Sequence, residues 1–156
     1  MPISVIILTF NSQATLGATL ESARRVSDDI HVVDSFSTDR TLEIARLAGA
    51  QVVQHPFEDY GAQRNWAIAN LPLKHDWHLH LDADERLSDE LVAMLPGLTR
   101  AGQSQEVVGY YVPRLVHFHG RPLRHGGMYP IYHLRLYRSG RGRCEARKYE
   151  IGRAHV

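Results

Sequence analysis

The sequence predicts an α/β fold: an open, mostly parallel sheet with flanking helices and a β-rich C-terminal extension. Three observations carry this expectation. Short apolar runs alternate with helical patterns through the first 90 residues, as strands joined by crossover helices do. The first run, over residues 3–10, is almost continuously apolar, as a strand buried on both faces requires. Polar residues then collect at the ends of three runs: Thr9 and Asn11 flanking Phe10, Asp34 with Ser35, and Asp82 with Asp84. In open α/β sheets this is the end at which ligands bind.

The elements follow in order. After the first strand, Asn11 or Ser12 can cap a helix over residues 14–25, with Leu16, Leu20 and Ala23 at helical spacing. A second strand over 30–33 runs into Asp34, and Ser37 or Thr38 caps a helix over 39–47 that Gly49 stops. A third strand spans 51–55 and is closed by Pro56, and a helix over 62–70 is ended by Pro72. A fourth strand over 77–81 leads into Asp82-Ala83-Asp84-Glu85. Ser88, Asp89 and Glu90 then open a helix whose first-turn acids suit its dipole. After Gly97 the pattern changes to short strands over 107–113 and 134–137, with turns at 118–122 and 139–142.

A length of 156 residues sets an expectation of one domain, and 44% hydrophobic with 22% charged residues reads as an ordinary globular chain. No apolar run approaches the roughly 20 residues that span a bilayer. The opening residues lack the basic start and small-residue cleavage site of a signal peptide. The lone Cys144 excludes an intrachain disulfide framework and fits a reducing, cytoplasmic setting. The net charge of +1 hides a split. Residues 1–99 hold 7 Lys/Arg against 14 Asp/Glu, whereas residues 100–150 hold 10 against 3. Of the 18 basic residues 16 are Arg, which fits bidentate phosphate or carboxylate contacts and equally a GC-rich genome. The basic third lacks the interleaved aromatics of single-strand binders, so no nucleic-acid partner is expected.

The first strand is not followed by a G-x-G-x-x-G, nor is there a G-x-x-x-x-G-K-[ST]; a dinucleotide cofactor and a P-loop are therefore not expected. Asp82 and Asp84, read as alternate residues of an extended segment, point the same way and can converge on Mg²⁺ or Mn²⁺. The plainer reading is a solvated acidic turn capping the next helix. Asp34 can accept from a nucleobase N–H or merely organise a turn with Ser37, Thr38 and Asp39. Thr9 and Asn11 can touch a base edge or satisfy loop backbone. Arg64, beside Gln63 and Asn65 at a helix start, can reach a diphosphate or lie on the surface. Of the ten histidines, His78 and His80 share a strand face, while His117 and His119 have the spacing of strand-borne zinc ligands. The favoured reading makes them partly buried or surface residues.

Three segments, Ser4 to Asn11, Val33 to Thr41 and Leu81 to Glu85, together resemble family 2 glycosyltransferases of the GT-A fold. Tyr60 to Ala67 is similar to that family's arginine-asparagine helix start. Gly120 to Pro130 and Leu134 to Arg138 resemble its lipopolysaccharide-core β-1,4-glucosyltransferase branch. The resemblance implies an inverting enzyme that takes a sugar, glucose in that branch, from a UDP-sugar to a saccharide or glycolipid in cell-envelope glycan synthesis. By the same resemblance Thr9, Phe10 and Asn11 would lie beside the base, Asp34 would pair with uracil, and Arg64 would approach the nucleotide-sugar. Asp82 and Ala83 would lie near the ribose, with Asp82 and above all Asp84 on the metal. Phe10 stands where the family usually has tyrosine, and Leu8 where proline is common; both change the pocket wall and not its charges.

The acceptor's general base would be Glu150, after Tyr149. Residues 150–156, however, read as the translation of a common sequencing adapter. The expectation is therefore one truncated domain over residues 1–150, with 151–156 not native and the remaining C-terminal part missing. The basic third would face a phosphorylated glycolipid or the anionic inner-membrane surface. Two rivals stand beside this reading. One is another metal-dependent nucleotide-sugar or phosphoryl-group enzyme, which should show a Gly-rich loop or a nucleophilic Asp after the first strand, where the sequence has Asn11. The other is an inactive nucleotide-sugar-binding fragment.

Overall fold

The computed structural model describes residues 2–101 and 107–144, and the backbone of 154–155. Four strands, β1 (Ile3–Thr9), β2 (Asp29–Asp34), β3 (Gln51–Gln54) and β4 (Trp77–Asp82), pair in parallel. Two more, β5 (Gly109–Arg114) and β8 (Ile131–Arg138), extend the same sheet, giving the order β3-β2-β1-β4-β8-β5. β8 runs antiparallel to both of its neighbours, β4 and β5. Between β5 and β8 stands a small hairpin of β6 (His117–Phe118) and β7 (Arg121–Pro122). The backbone of β9 (Arg143–Cys144) pairs with β10 (Ala154–His155). The β-rich extension is thus largely two further strands of the main sheet.

Helices α1 (Leu16–Arg24), α2 (Thr41–Leu47), α3 (Tyr60–Asn70) and α4 (Asp89–Ala101) connect or follow the parallel strands. Side-chain alternation along β1 divides the core. Val5 and Ile7 pack with Leu16, Leu20 and Leu95 of α1 and α4. Ile6 faces the other way, with Val33, Ala67 and Leu71 on the α3 side. Fully burying a side chain such as Ile6 is worth about 1.5–3 kcal/mol, so a continuous apolar strand is stable only with helices on both faces.

The helix boundaries differ from the sequence expectation for identifiable reasons. α1 starts at Leu16 because the Ser12 carbonyl accepts from Thr15 and Leu16 N–H in a turn, at 3.1 and 3.0 Å. α2 starts at Thr41, whose N–H donates to Asp39 Oδ1 at 2.9 Å, so Asp39 holds the turn expected of Ser37 or Thr38. α3 starts two residues early because Asp59 Oδ1 caps it, accepting from Ala62 N–H at 2.7 Å. α4 runs through Pro96 and Gly97 to Ala101: Leu95 is fully buried and Leu98 packs on the same cluster. Tertiary burial overrides poor helix propensity at those two positions.

Candidate functional site: the carboxyl ends of the parallel strands

Strand order reverses between β2 and β4 on either side of β1, which opens a crevice at the strand ends. Register brings the polar residues there together. Thr9 pairs with Asp34 across β1 and β2, and Leu8 pairs with Asp82 across β1 and β4.

Asp34 is fully buried and its carboxylate is saturated by donors. The Thr9 hydroxyl donates to Oδ1 at 2.9 Å, and the Ser37 hydroxyl also donates there. Oδ2 accepts from Ser37 N–H at 2.9 Å and from Gln54 Nε2 at 3.2 Å. Asn11 N–H donates to Ser37 Oγ at 2.8 Å, while Asn11 Oδ1 accepts from Thr38 N–H at 2.9 Å. These bonds lock the loops after β1 and β2 to each other. They hold two non-glycine residues in the left-handed region, Asn11 at φ 45° and Phe36 at φ 60°. Such conformations cost of order 1–3 kcal/mol each and cluster at functional sites. Phe10 and Phe36 are left exposed beside the buried carboxylate.

At the end of β4, Asp82 lies between two arginines. Arg64 Nη2, from α3, donates to Oδ1 at 2.7 Å; Arg135 Nη2, from β8, donates to Oδ2 at 2.8 Å. Arg135 also bridges to Glu85 Oε1 at 2.7 Å, and Glu85 Oε2 accepts from the Asp82 N–H at 2.9 Å. Burial pushes the Glu85 carboxyl up by more than the Arg135 charge pulls it down. Arg64 also lies 5.8 Å from the centroid of the Tyr60 ring.

The extended geometry expected over Asp82-Ala83-Asp84 does not hold. β4 ends at Asp82, and Glu85 N–H closes a turn on the Asp82 carbonyl at 3.0 Å. Ala83 packs into the core and its carbonyl accepts from Thr19 Oγ1 at 2.9 Å. Strand alternation therefore does not aim Asp82 and Asp84 in one direction. Asp84 is exposed at the turn.

Arg64 and its neighbour divide their work. Asn65 makes a reciprocal pair with the Cys144 backbone: Nδ2 donates to the carbonyl at 2.7 Å, and Cys144 N–H donates to Oδ1 at 2.8 Å. Behind Asp82, the Tyr137 hydroxyl and His80 Nε2 are hydrogen-bonded at 2.7 Å and their rings stack at 5.1 Å. Burial, with the positive Arg64 nearby, holds the His80 pKa well below its usual value, so this imidazole is neutral. His78 is buried too, His133 is half-buried, and His117, His119 and His125 are exposed. Among the described residues no three His, Cys, Asp or Glu side chains gather as a metal cage.

The structure thus brings together Thr9 with Asp34, Asn11 with the Asp34 loop, and Arg64 with Asp82. Glu150 lies outside the described residues. Arg135, Glu85 and the Asn65–Cys144 pair were not singled out for these roles by sequence reasoning. The one available signal was an arginine set between Leu134 and Leu136 in an otherwise core-facing strand.

For a divalent cation the donor set fits in a limited sense. Asp84 offers an exposed, hard oxygen ligand, while both Asp82 oxygens already carry arginine partners. Mg²⁺ and Mn²⁺ sites of this kind use one or two carboxylates and fill the rest with phosphate oxygens and water.

A parallel sheet reversing at β1, extended by an antiparallel β8 and then by β5, with carboxylates at its strand ends, is the architecture of a GT-A glycosyltransferase. The chain belongs to glycosyl transferase family 2, whose family model matches residues 4–149. It is 34% identical over 150 residues to the lipopolysaccharide core biosynthesis glycosyltransferase LpsC of Rhizobium meliloti, covering 93% of this chain and 54% of that one. It is 33% identical over 118 residues to an uncharacterized glycosyltransferase of Rickettsia prowazekii, covering 76% of this chain and 40% of that one. The chain therefore spans about half or less of the length of these relatives. Among solved structures, S. aureus TarS (residues 1–349) in complex with UDP matches at TM-score 0.61 and 21% identity, over 89% of this chain and 47% of TarS. M. tuberculosis glucosyl-3-phosphoglycerate synthase with Mn²⁺, UDP-glucose and phosphoglyceric acid matches at TM-score 0.52 and 24% identity, over 69% and 41%.

Proposed function

We propose that this chain is the donor-binding part of an inverting, divalent-metal-assisted glycosyltransferase. It takes a UDP-sugar, glucose in the branch it resembles, and serves a saccharide or glycolipid acceptor in lipopolysaccharide or other cell-envelope glycan synthesis. The observation that carries the reading is the gathering of Asp34, Asp82 and exposed Asp84 at one end of a parallel sheet, beside the strained loops of Asn11 and Phe36. The relatives lend support: one is an LPS core glycosyltransferase by name, and both solved neighbours were captured with UDP or UDP-glucose.

In this reading Thr9, Phe10, Asn11 and Asp34 form the base end. Hydroxyl donors rotate easily, so Thr9 or Ser37 can yield its hydrogen bond on Asp34 to a uracil N–H. Arg64 bridges Asp82 to the donor phosphates, while Asp82 and Ala83 form the floor near the ribose. Asp84, with Asp82 behind it, would hold Mg²⁺ or Mn²⁺. A bound cation neutralises the diphosphate and makes UDP a better leaving group. Glu150 remains the candidate base for the acceptor hydroxyl, taking its proton as the hydroxyl attacks the anomeric carbon from the face opposite UDP. The setting is the cytoplasmic side of the anionic inner membrane. No helix of the described residues is long and apolar enough to cross a membrane.

Calorimetric titration with UDP, CDP and ADP in Mn²⁺ tests the donor assignment. UDP should bind in preference, and Asp34→Asn, which keeps the shape but disturbs the acceptor set, should erase that preference. Equal binding of all three nucleotides by the native chain would rule the uracil site out.

A further inference from the structure

The basic third of the chain carries a feature that the donor site does not use. Residues 107–144 contain seven arginines and four histidines, with no aspartate or glutamate. Arg135 points inward to Asp82 and Glu85, whereas Arg121 and Arg124 are exposed. The same stretch exposes large apolar groups. Phe118 is 63% exposed, Tyr111 59% and Tyr132 58%. Phe118 stands on the β6–β7 hairpin directly opposite Arg121, next to a turn through His119 and Gly120, both at positive φ. Tyr132 lies opposite Pro113 across β5 and β8, two residues from Tyr111 on the same strand as Pro113.

Topology fixes where this surface lies. β8 is antiparallel to β4, and Leu79 pairs with Leu136, so the start of β8 reaches past the end of β4. Arg114 pairs with Ile131, so residues 115–130 leave and re-enter the sheet at that same end. Residues 115–130, which carry the hairpin, therefore leave the sheet at the end where Asp82 and Asp84 stand.

We infer that the β6–β7 hairpin, with the exposed Tyr111 and Tyr132, is a docking surface for an anionic lipid bilayer, holding the site mouth against the membrane. The inference rests on the glycosyltransferase reading and narrows its acceptor to a membrane-borne one. Charge complementarity favours an anionic partner, since the stretch carries no acid of its own and Arg121 and Arg124 are exposed, Arg124 sharing its field with Glu90 of α4. The aromatic groups select a bilayer over a soluble anion: Phe and Tyr rings standing out beside arginines match the boundary between headgroups and acyl chains. A soluble phosphate would gain nothing from a bare Phe118.

The test is flotation of the full chain with vesicles of phosphatidylcholine alone and of phosphatidylcholine mixed with phosphatidylglycerol. The chain should float with the anionic vesicles, remain in solution with neutral ones, and be released as salt screens the contact. Each arginine near an anionic surface is worth about fivefold in partitioning, so Arg121→Gln with Arg124→Gln should lower it about 25-fold. Phe118→Ser should weaken binding without changing its salt dependence. The same variants, titrated with UDP and Mn²⁺, should keep native affinity, which separates this surface from the donor site. Loss of UDP binding by the native chain with flotation intact would overturn the donor reading and leave the surface standing. No flotation with anionic vesicles, equal flotation with neutral ones, or variants that float like the native chain would overturn the inference. So would saturable binding of inositol hexakisphosphate to Arg121 and Arg124 in a chain that ignores vesicles.

Discussion

Arg135 and Asp82, 53 residues apart in sequence, meet at 2.8 Å, and the same guanidinium nitrogen reaches Glu85 at 2.7 Å. One arginine from an antiparallel strand thereby holds the acidic end of a parallel one. Its side chain is 8% exposed, against 18% and 17% for its two partners. Arg64 completes the arrangement from α3, so Asp82 is fixed from two sides before any ligand arrives.

Arg135→Met should therefore destabilise the fold although it fills a similar volume. It leaves two largely buried carboxylates short of a counter-charge. The expected cost is about 2–4 kcal/mol, somewhat below a fully buried pair because both carboxylates retain some water. A lower urea midpoint with an unchanged slope would show it. A native midpoint would mean that the remaining cations, Arg64 and Arg114 among them, and solvent carry the charge.

Asn65→Ala should release the Cys144 strand. Two hydrogen bonds to its backbone are lost, worth about 1–3 kcal/mol of local stability. Burial raises the Cys144 thiol pKa in the native chain, which slows its reaction. Labelling by a thiol reagent should accelerate about tenfold or more, with little change in the global melting temperature. Unchanged labelling would show that the pair is dispensable.

Acid should weaken the fold through its histidines. Burial lowers the pKa values of His78, His80 and His133, with the Arg135 charge adding to the effect at His80 and His133. The unfolded chain, with histidines near their usual value of about 6.5, binds more protons than the folded one. Their contribution is fully present above about pH 6.5 and is lost as pH falls below it, at up to about 1.4 kcal/mol per pH unit for each of His78 and His80. Glu85 acts with the opposite sign, because its raised pKa lets the folded state keep a proton, and offsets part of the loss. Urea midpoints should fall from about pH 7.5 to about pH 5.5. A flat profile across that range would contradict the buried, neutral state of His80.

Much of the fold is legible in the sequence because its signals are local. The apolar run of β1, and the acids that end β2 and β4, place the strand ends without any long-range information. Asp34 and Asp82 are recognisable for that reason. Arg135 is not, since a strand arginine reads as a surface residue until its partner, supplied by an antiparallel pairing, is known. The Asp82–Asp84 geometry fails for a local cause, the turn closed by the Glu85 N–H. The end of α4 is not legible at Gly97, because burial of Leu95 and Leu98, a tertiary effect, carries the helix past it.

The most direct test of the proposed metal-assisted donor site is calorimetric titration of UDP into the native chain and Asp84→Ala, each with Mn²⁺ and with the cation chelated. Asp84 is exposed, so its replacement should leave the fold intact. The native chain should bind UDP far more tightly with Mn²⁺ than without it, and Asp84→Ala should lose that difference. Metal-dependent binding that survives unchanged in Asp84→Ala would contradict the assignment.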